Sequence, residues 1–523
     1  TYLAFATRSP AYFAVASFLV ITVTSLAVGV LLNVVSPEAA GSGIPQLKAA
    51  YWQELGFVRL RAVVTKFVAG VLSIGGGNSL GREGPSVFIG GGAASTVDRL
   101  MGTPRKNLRG AAVIGAAAGL AAAFNTPLAA ITFVIEEVVG DLNSRHLGRV
   151  VLAAVMGAFV VYALLGRQPA FILPPVAEVG WWHYLVVPLV ALCAALAGVS
   201  FQYLALAWRG RLKRQRTVPA WSMPLAGGLV TWVLGVSVFL TTGHIGVFGL
   251  GYQDLSAALR NDLGWQVAGV LVLAKLLATI VGYSFGGCGG IFAPSLFIGG
   301  LSGYFLGGLA RGWLPLTPAD QVVLAAVGMS ACLGAIIRAP LTSMLMVFEM
   351  THQFAFVPGL MLGMIVSQAV ARLAGRLNFY DALLVQDGHE LHKIRPPLDM
   401  HGWRELPVSA IATPRLTTLD HLTEGAMRQV LERTPYQVFP VIRDGHLLGV
   451  VTRRQLKQAL LCQEPPSILP VATCYPDQTI GEIGDKFLDS TANMLVVIDR
   501  GSGATVGLIT LHDLIRAQAA VQQ

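Results

Sequence analysis

Charged side chains are scarce in this 523-residue chain: 12% of residues are Asp, Glu, Lys or Arg, against about 25% in ordinary soluble proteins. Disorder is excluded, because a sequence that is 54% hydrophobic with a mean hydropathy of +0.63 cannot stay solvated. Cysteine is equally sparse. Cys193, Cys288, Cys332, Cys462 and Cys474 include no CxxC pair, which excludes a disulfide scaffold and a thiolate metal or redox centre and reads as buried free thiols. The only string resembling the HExxH of metalloproteases, His389-Glu390-Leu391-His392, has the wrong spacing, and His183, His244 and His352 form no cluster. No metal, required cofactor, enzymatic activity or nucleic-acid partner is expected.

The charges that are present divide the chain near residue 385. Residues 386–523 hold 13 basic and 15 acidic side chains, about a fifth of that stretch, as in a soluble domain. Residues 1–385 hold 24 basic and 13 acidic side chains, a net charge of +11 in a far more apolar segment. Uncharged stretches run between Arg8 and Glu38, Glu178 and Arg209, Arg216 and Asp254, Lys275 and Arg311, and Glu349 and Arg372. Each exceeds the roughly 20 apolar residues that cross a bilayer, so the first part is a polytopic integral membrane protein. A single large soluble core fails, because so little polar surface could not cover so many apolar segments.

Arg209, Arg211, Lys213, Arg214 and Arg216 form a short basic loop without an acid, which the positive-inside rule places in the cytoplasm. The last apolar stretch also ends in basic residues, Arg372 and Arg376, so the tail is cytoplasmic as well. An excess of 29 arginines over 8 lysines fits a GC-rich bacterial genome and hence an inner membrane. No cleavable signal is visible, and the missing initiator Met reads as trimming.

The membrane part repeats itself. PSVFIGG at 85–91 returns as PSLFIGG at 294–300, an offset that also carries Lys66 onto Lys275 and Gly81 onto Gly290. At an offset of 213, Gly115, Leu120, Ala122, Pro127, Leu128 and Glu136 fall on Gly328, Leu333, Ala335, Pro340, Leu341 and Glu349. The halves are assigned to about 36–200 and 217–384. Duplicated transporters place their site at the bilayer midplane, where interrupted helices of both halves meet. Glycine-rich backbone is tolerated there only when buried in protein or lining a cavity, and Gly75–Gly77, Gly81, Gly84, Gly286, Gly287, Gly289 and Gly290 precede the repeated blocks. An isolated glycine such as Gly157 is better read as close helix packing.

Gly81-Arg82-Glu83-Gly84-Pro85 and Gly289-Gly290-Ile291-Phe292-Ala293-Pro294 each end in a proline at the start of an apolar run, which marks a helix N-terminus. Gly41-Ser42-Gly43-Ile44-Pro45 is a third such end, with a hydroxyl beside it. Free N–H groups and the positive end of the helix dipole suit an anion. A cation pathway would need carboxylate rings or converging carbonyls, and only 13 acids are present in residues 1–385. Glu83, set between glycines at such an end, either competes with an anion for the same amides and couples the site to a proton, or merely caps the helix. The residues alone leave both readings open. Glu136 has a repeat partner in Glu349 and reads as structural, whereas Glu137 aligns with Met350 and is carried by one half only.

Ser42 in GSGIP, Glu83 in GREGP, Ile291 and Phe292 in GGIFAP, and Tyr380 in LNFYDALL occur in the order of four signature elements. Through them the sequence resembles the CLC family of chloride channels and proton-coupled chloride transporters. The resemblance implies a polytopic all-α membrane domain (1–385) with an inverted repeat and broken helices, assembled as a homodimer with one pathway per subunit. It implies that the anion is held by the hydroxyls of Ser42 and Tyr380 and by backbone amides at Glu83, Gly84, Ile291 and Phe292. Glu83 would be the external gate and Glu137 the internal proton-transfer glutamate, so that H+/Cl− exchange is expected. A passive voltage- or pH-gated chloride channel of the same fold is the alternative, and a CBS-regulated divalent-cation transporter is a third reading.

After a linker (386–407) with Pro396 and Pro397, Val438–Thr452 and Met494–Thr510 each read as a buried strand pair followed by a polar helix start. They resemble two CBS domains, 408–460 and 467–520, an α/β pair of a kind that binds adenosine nucleotides and modulates the attached membrane domain. Thr510 and Asp513 fit the Thr-x-x-Asp pattern of nucleotide-binding modules, while Thr452 and Gln455 depart from it. The same Thr510 and Asp513 also read as a helix cap with a first-turn acid.

Overall fold

The structure, a computed structural model, describes residues 2–104, 108–140, 147–166, 171, 173, 180–214, 219–389, 407–413, 417–443, 446–490 and 494–514. Pro396 and Pro397 of the linker, Glu178, Arg216, Glu390–His392 and Asp444-Gly445 lie outside these residues. The chain divides between residues 395 and 396 into a membrane unit and a tail unit.

Among the described residues, eight helical stretches are long and apolar enough to cross a membrane. The membrane unit begins with α1 (Tyr2–Ala6) and α2 (Pro10–Val34). Its first half continues through α3 (Ile44–Gln53), α4 (Leu60–Gly75), α5 (Glu83–Leu100), α6 (Leu108–Phe124), α7 (Pro127–Phe133, extended by a π-helical turn, Val134–Val139) and α8 (Leu147–Leu165). The long α9 (His183–Arg214) and α10 (Met223–Thr242) lead to the second half: α11 (Tyr252–Leu259), α12 (Trp265–Ser284), α13 (Phe292–Ala310), α14 (Pro318–Ile337), α15 (Pro340–Thr351) and α16 (Val357–Ala374), followed by α17 (Phe379–Gln386). Helices α3–α8 thus recur in order and kind as α11–α16.

Local sequence explains which helix ends are closed. Ser9 Oγ accepts from the Tyr12 amide at 3.2 Å at the start of α2, and Thr317 and Asp320 cap each other's amides at the start of α14. The starts of α5 and α13 differ. Arg82 and Ile291 occupy their N-cap positions and, as at several other helix starts here, supply no side-chain cap, so their first amides are left to partners from elsewhere in the chain.

Helix α14 is buried from Asp320 to Ile337 and packs on α13, α9 and α16, while α6 takes the matching place against α5 and α8. Glycine sets these contacts. A methyl at Gly90 would lie 2.3 Å from the Gly115 carbonyl oxygen, and one at Gly299 would lie 2.1 Å from that of Gly328, the corresponding pair of the second half. Gly157 likewise lies against the Ala118 backbone. With no hydrophobic drive between helices in lipid, such close approach of backbones supplies the packing.

In the tail, β1 (Val438–Arg443) and β2 (His446–Thr452) form an antiparallel hairpin with a register shift after Val441, packed with α18 (Glu424–Arg433) and α19 (Arg453–Cys462). The second module has the sheet order β3-β4-β5, with β3 (Thr473–Cys474) parallel and β5 (Thr505–Thr510) antiparallel to β4 (Met494–Ile498), beside α20 (Ile480–Asp489). The modules exchange their leading segments. Val408 is in the core of the second module and Thr413 pairs with Leu508, while Leu469 pairs with Val450 of the first. Two cysteines depart from expectation: Cys462 is exposed at the last position of α19 and Cys193 is half-buried on α9, whereas Cys288, Cys332 and Cys474 are buried. Burial pushes the Cys474 thiol up to about 11.

Gly328→Ala forces α13 and α14 apart and is expected to cost about 1–3 kcal/mol. It should appear as a lower melting temperature of the detergent-solubilised protein, whereas Gly148→Ala, where nothing lies within 4 Å of the added methyl, should have little effect.

Candidate functional site

Four chain segments converge inside the membrane unit: the starts of α3, α5, α13 and α17. Gly41 (φ +69°) and Gly43 (φ +100°) hold Ser42 between two left-handed residues, a conformation glycine adopts without strain. A methyl on Gly84 would lie 2.4 Å from Ser42 Oγ and 3.1 Å from Gly290 Cα, so the start of α5 touches both other loops and admits no side chain. Tyr380, in the first turn of α17, lies alongside Ser42, with its ring centroid 6.5 Å from that of Phe292. Phe124 and Phe133 flank Phe292 at 6.5 and 5.4 Å. The Ser42 and Tyr380 hydroxyls are buried, and among the described residues neither makes a hydrogen bond of full geometry. A buried donor without an acceptor is costly, and two converging ones form a donor set suited to a small anion.

The Glu83 side chain crosses from one half to the other. Its Oε1 accepts from the amides of Phe292 at 2.5 Å and Ala293 at 3.3 Å, the uncapped start of α13, and its Oε2 has no partner. Of the expected amide positions, Phe292 thus meets the carboxylate and Ala293 joins it, while Ile291 sits buried at the N-cap of α13 and Gly84 faces Ser42. The loops before α5 and α13 pair with each other: Gly81 N–H donates to Gly290 O at 2.8 Å and Gly290 N–H to Gly81 O at 2.6 Å. Matching residues in an antiparallel bridge are what a two-fold axis between inverted halves produces.

Two lysines, known from the repeat only as an aligned pair, hold this framework. Lys66 Nζ donates to the carbonyls of Ala39, Ala40 and Gly41 at 2.7, 3.3 and 2.7 Å, fixing the loop that carries Ser42. Lys275 Nζ donates to those of Gly246, Val247 and Gly249 at 2.9, 3.2 and 2.6 Å. The clamped segment Gly249-Leu250-Gly251 is the counterpart of Gly41-Ser42-Gly43, with φ of +56° and +76° at its glycines. A search for GxG before each short helix would have found it.

Glu136 and Glu349 cap across the repeat. Glu349 accepts from the amides of Leu128 (2.9 Å) and Ala129 (2.7 Å) at the start of α7, and Glu136 from those of Leu341 (3.2 Å) and Thr342 (2.9 Å) at the start of α15. Glu137 points elsewhere. Only 2% exposed, it meets Lys48 Nζ at 2.7 Å and accepts from Asn378 Nδ2 at 2.8 Å, and Lys48 also reaches Asp381 at 2.6 Å. Lys48, Asn378 and Asp381 were not singled out in the sequence, although a lysine four residues after Ile44 and an aspartate after Tyr380 stand out in apolar surroundings.

A cavity of about 860 Å3 opens beside the Ser42 loop, bounded by Gly41, Pro45 and Tyr283, with Arg59, Arg209 and Lys213 in its walls. In the tail, Asp513 Oδ2 accepts from Thr510 N–H at 2.9 Å and Thr510 Oγ1 at 2.7 Å. Gln455 does the same with Thr452 at 2.9 and 2.8 Å.

An inverted repeat whose broken helices bring uncapped amides and buried hydroxyls together defines a membrane transport protein. Comparison with known proteins gives the family. The profile described as voltage gated chloride channel matches residues 24–372 and a CBS domain profile matches 467–520. The chain belongs to the CLC family, as an integral membrane protein with a cytoplasmic CBS region.

Among its relatives, the voltage-gated ClC-type chloride channel ClcB of Salmonella typhimurium is 31% identical over 320 residues, 61% of this chain and 75% of that protein. The H(+)/Cl(-) exchange transporter ClcA of Vibrio campbellii is 30% identical over 361 residues, covering 68% and 76%. Of solved structures, a slow cyanobacterial Cl−/H+ antiporter superposes with a TM-score of 0.65 at 25% identity, covering 74% of this chain and 90% of that one. A eukaryotic CLC transporter shares the fold, with a TM-score of 0.58 at 20% identity over 96% and 90%.

Glu349→Ala leaves the Leu128 and Ala129 amides without their charged acceptor and is expected to lower stability by about 1–3 kcal/mol. Thermal unfolding in detergent should show Glu349→Gln, which keeps one acceptor oxygen, as the milder change.

Proposed function

We propose that this protein exchanges chloride for protons across the membrane, with Glu83 as the gate and Glu137 as the inner proton carrier. The observation that carries this reading is the Glu83 carboxylate lying on the Phe292 and Ala293 amides. An ionised carboxylate is itself an anion at a helix N-terminus, so it competes with chloride for the same donors. Protonation removes its charge, weakens its hold on the amides and leaves them to chloride, with the Ser42 and Tyr380 hydroxyls and the amides near Gly84 and Ile291 completing the donor set. The ionised carboxylate and the anion then exclude each other at one place, so anion occupancy is coupled to a proton, which is the condition for exchange rather than leak. Glu137 is a buried carboxylate bonded to Asn378, the N-cap of Tyr380's helix, and is suited to relaying protons from the cytoplasm. The name of the Vibrio relative, an H(+)/Cl(-) exchange transporter, supports the same reading.

A passive chloride channel is the second reading, favoured by the name of the Salmonella relative. The family resemblance further carries a homodimer with one set of these residues per subunit. For the tail we infer adenosine-nucleotide regulation at Thr510 and Asp513, for which the CBS domain match is the support. Both residues already cap a helix, so a bound ribose would have to draw the carboxylate away from Thr510.

In vesicles with valinomycin clamping the voltage, inward chloride is expected to drive protons outward, read with a pH electrode; chloride flux without a pH change would make the protein a channel. Glu137→Gln should remove the pH signal while chloride still moves, and Glu83→Gln should give uncoupled flux that no longer responds to pH. In calorimetric titration of the full chain with ATP, Asp513→Asn should weaken binding; equal heats for both proteins would return the pair to a capping role.

A further inference from the structure

We propose that Asp381 and Lys48 form the inner entry through which protons reach Glu137, Asp381 taking the proton from water and Lys48 passing it on. The inference rests on the exchange reading and adds to it the route by which the buried carboxylate is loaded.

Glu137 is 2% exposed and Lys48 is fully buried, so neither meets bulk water directly. Asp381 does, with 28% of its side chain exposed. Lys48 Nζ lies between the two carboxylates, 2.7 Å from Glu137 Oε1 and 2.6 Å from Asp381 Oδ1, both within the range over which a proton moves between heavy atoms. Asn378 fixes both ends of the arrangement. Its Nδ2 donates to Glu137 Oε2 at 2.8 Å and to Ile337 O at 3.2 Å, while its Oδ1 accepts the Asp381 amide at 2.7 Å and caps α17. Two further charged groups among the described residues lie near the relay. Arg338 lies within electrostatic range of Asp381 but donates to Ala371 O at 2.7 Å, and Glu136 is committed to the start of α15.

Lys48 touches two carboxylates at once, so its ammonium is placed to give a proton to one and take a proton from the other. A proton from water arrives on Asp381. Lys48 then gives one N–H proton to Glu137 Oε1, which becomes a neutral acid. The resulting amine turns about its Cε–Nζ bond, presents its lone pair to Asp381 and takes the carboxyl proton. Lys48 ends as the ammonium it was, Asp381 is ionised again, and one proton has moved from water to Glu137. The step in the middle holds three neutral groups, the arrangement that burial disfavours least. An arginine could keep the charge and the pairing but not this step, because a guanidinium does not give up its proton.

The test measures protons moved per chloride for the full chain reconstituted in vesicles. Asp381→Asn and Lys48→Arg are each expected to lower that ratio by about ten-fold or more, the scale of a lost proton-transfer group. Asp381→Glu, which restores a titratable carboxylate, should bring it back. If the unsubstituted protein moves no protons, the exchange reading falls and this route falls with it. If Glu137→Gln abolishes proton movement but either Asp381→Asn or Lys48→Arg keeps the original ratio, or Asp381→Glu is as impaired as Asp381→Asn, exchange stands and the route is wrong.

Discussion

Backbone that leaves the helix inside a membrane must find hydrogen bonds within the protein, because lipid offers none. Here two stretches do so, one before α5 and one before α13, and each is the partner of the other through the reciprocal bonds of Gly81 and Gly290. Neither half could close its own break. The same logic governs the second pair of interruptions, where Glu136 and Glu349 each cap the helix that belongs to the other half. The duplication is therefore a physical dependence as well as a likeness of sequence.

Because the breaks are satisfied by pairing of the loops, the amides just beyond them are spared. The first turns of α5 and α13 lack caps from their own N-cap side chains, and at α13 this lets the Glu83 carboxylate of the other half take donors that a local cap would have occupied. Lys66 and Lys275 fix the spacing by gathering three carbonyls each, which commits those carbonyl oxygens to an ammonium. Glycine at 84 and 290 allows the loops to approach until no side chain fits between them. Anion chemistry in this fold arises from where backbone groups are left free, with side chains setting the distances.

The inner side is built differently. There the polar groups are side chains in ion pairs, Glu137 with Lys48 and Lys48 with Asp381, and the asymmetry between halves is complete, since Met350 stands opposite Glu137. Asp381 directly follows Tyr380, so the buried ion-pair cluster and the Tyr380 hydroxyl are carried by the same helix turn. Movement of α17 would be felt by both.

Much was legible in the sequence. The apolar stretches defined a membrane protein, the offsets of 209 and 213 defined the repeat, and the glycine-proline punctuation located the helix starts, because these depend on local backbone preference and on transfer from water to lipid. Ser42, Glu83, Phe292 and Tyr380 were found by pattern, and the exposed Cys462 was misjudged because composition says nothing about which side of a tail helix faces water. What the sequence could not determine was every pairing across the chain: that Glu83 rests on amides 209 positions away, that Glu349 caps α7, that Lys48 stands between Glu137 and Asp381, and that Val408 belongs to the second tail module. Such contacts join residues far apart in order, and their distances are set by the packing of all the helices between them. Tertiary structure alone decided which donors were left free.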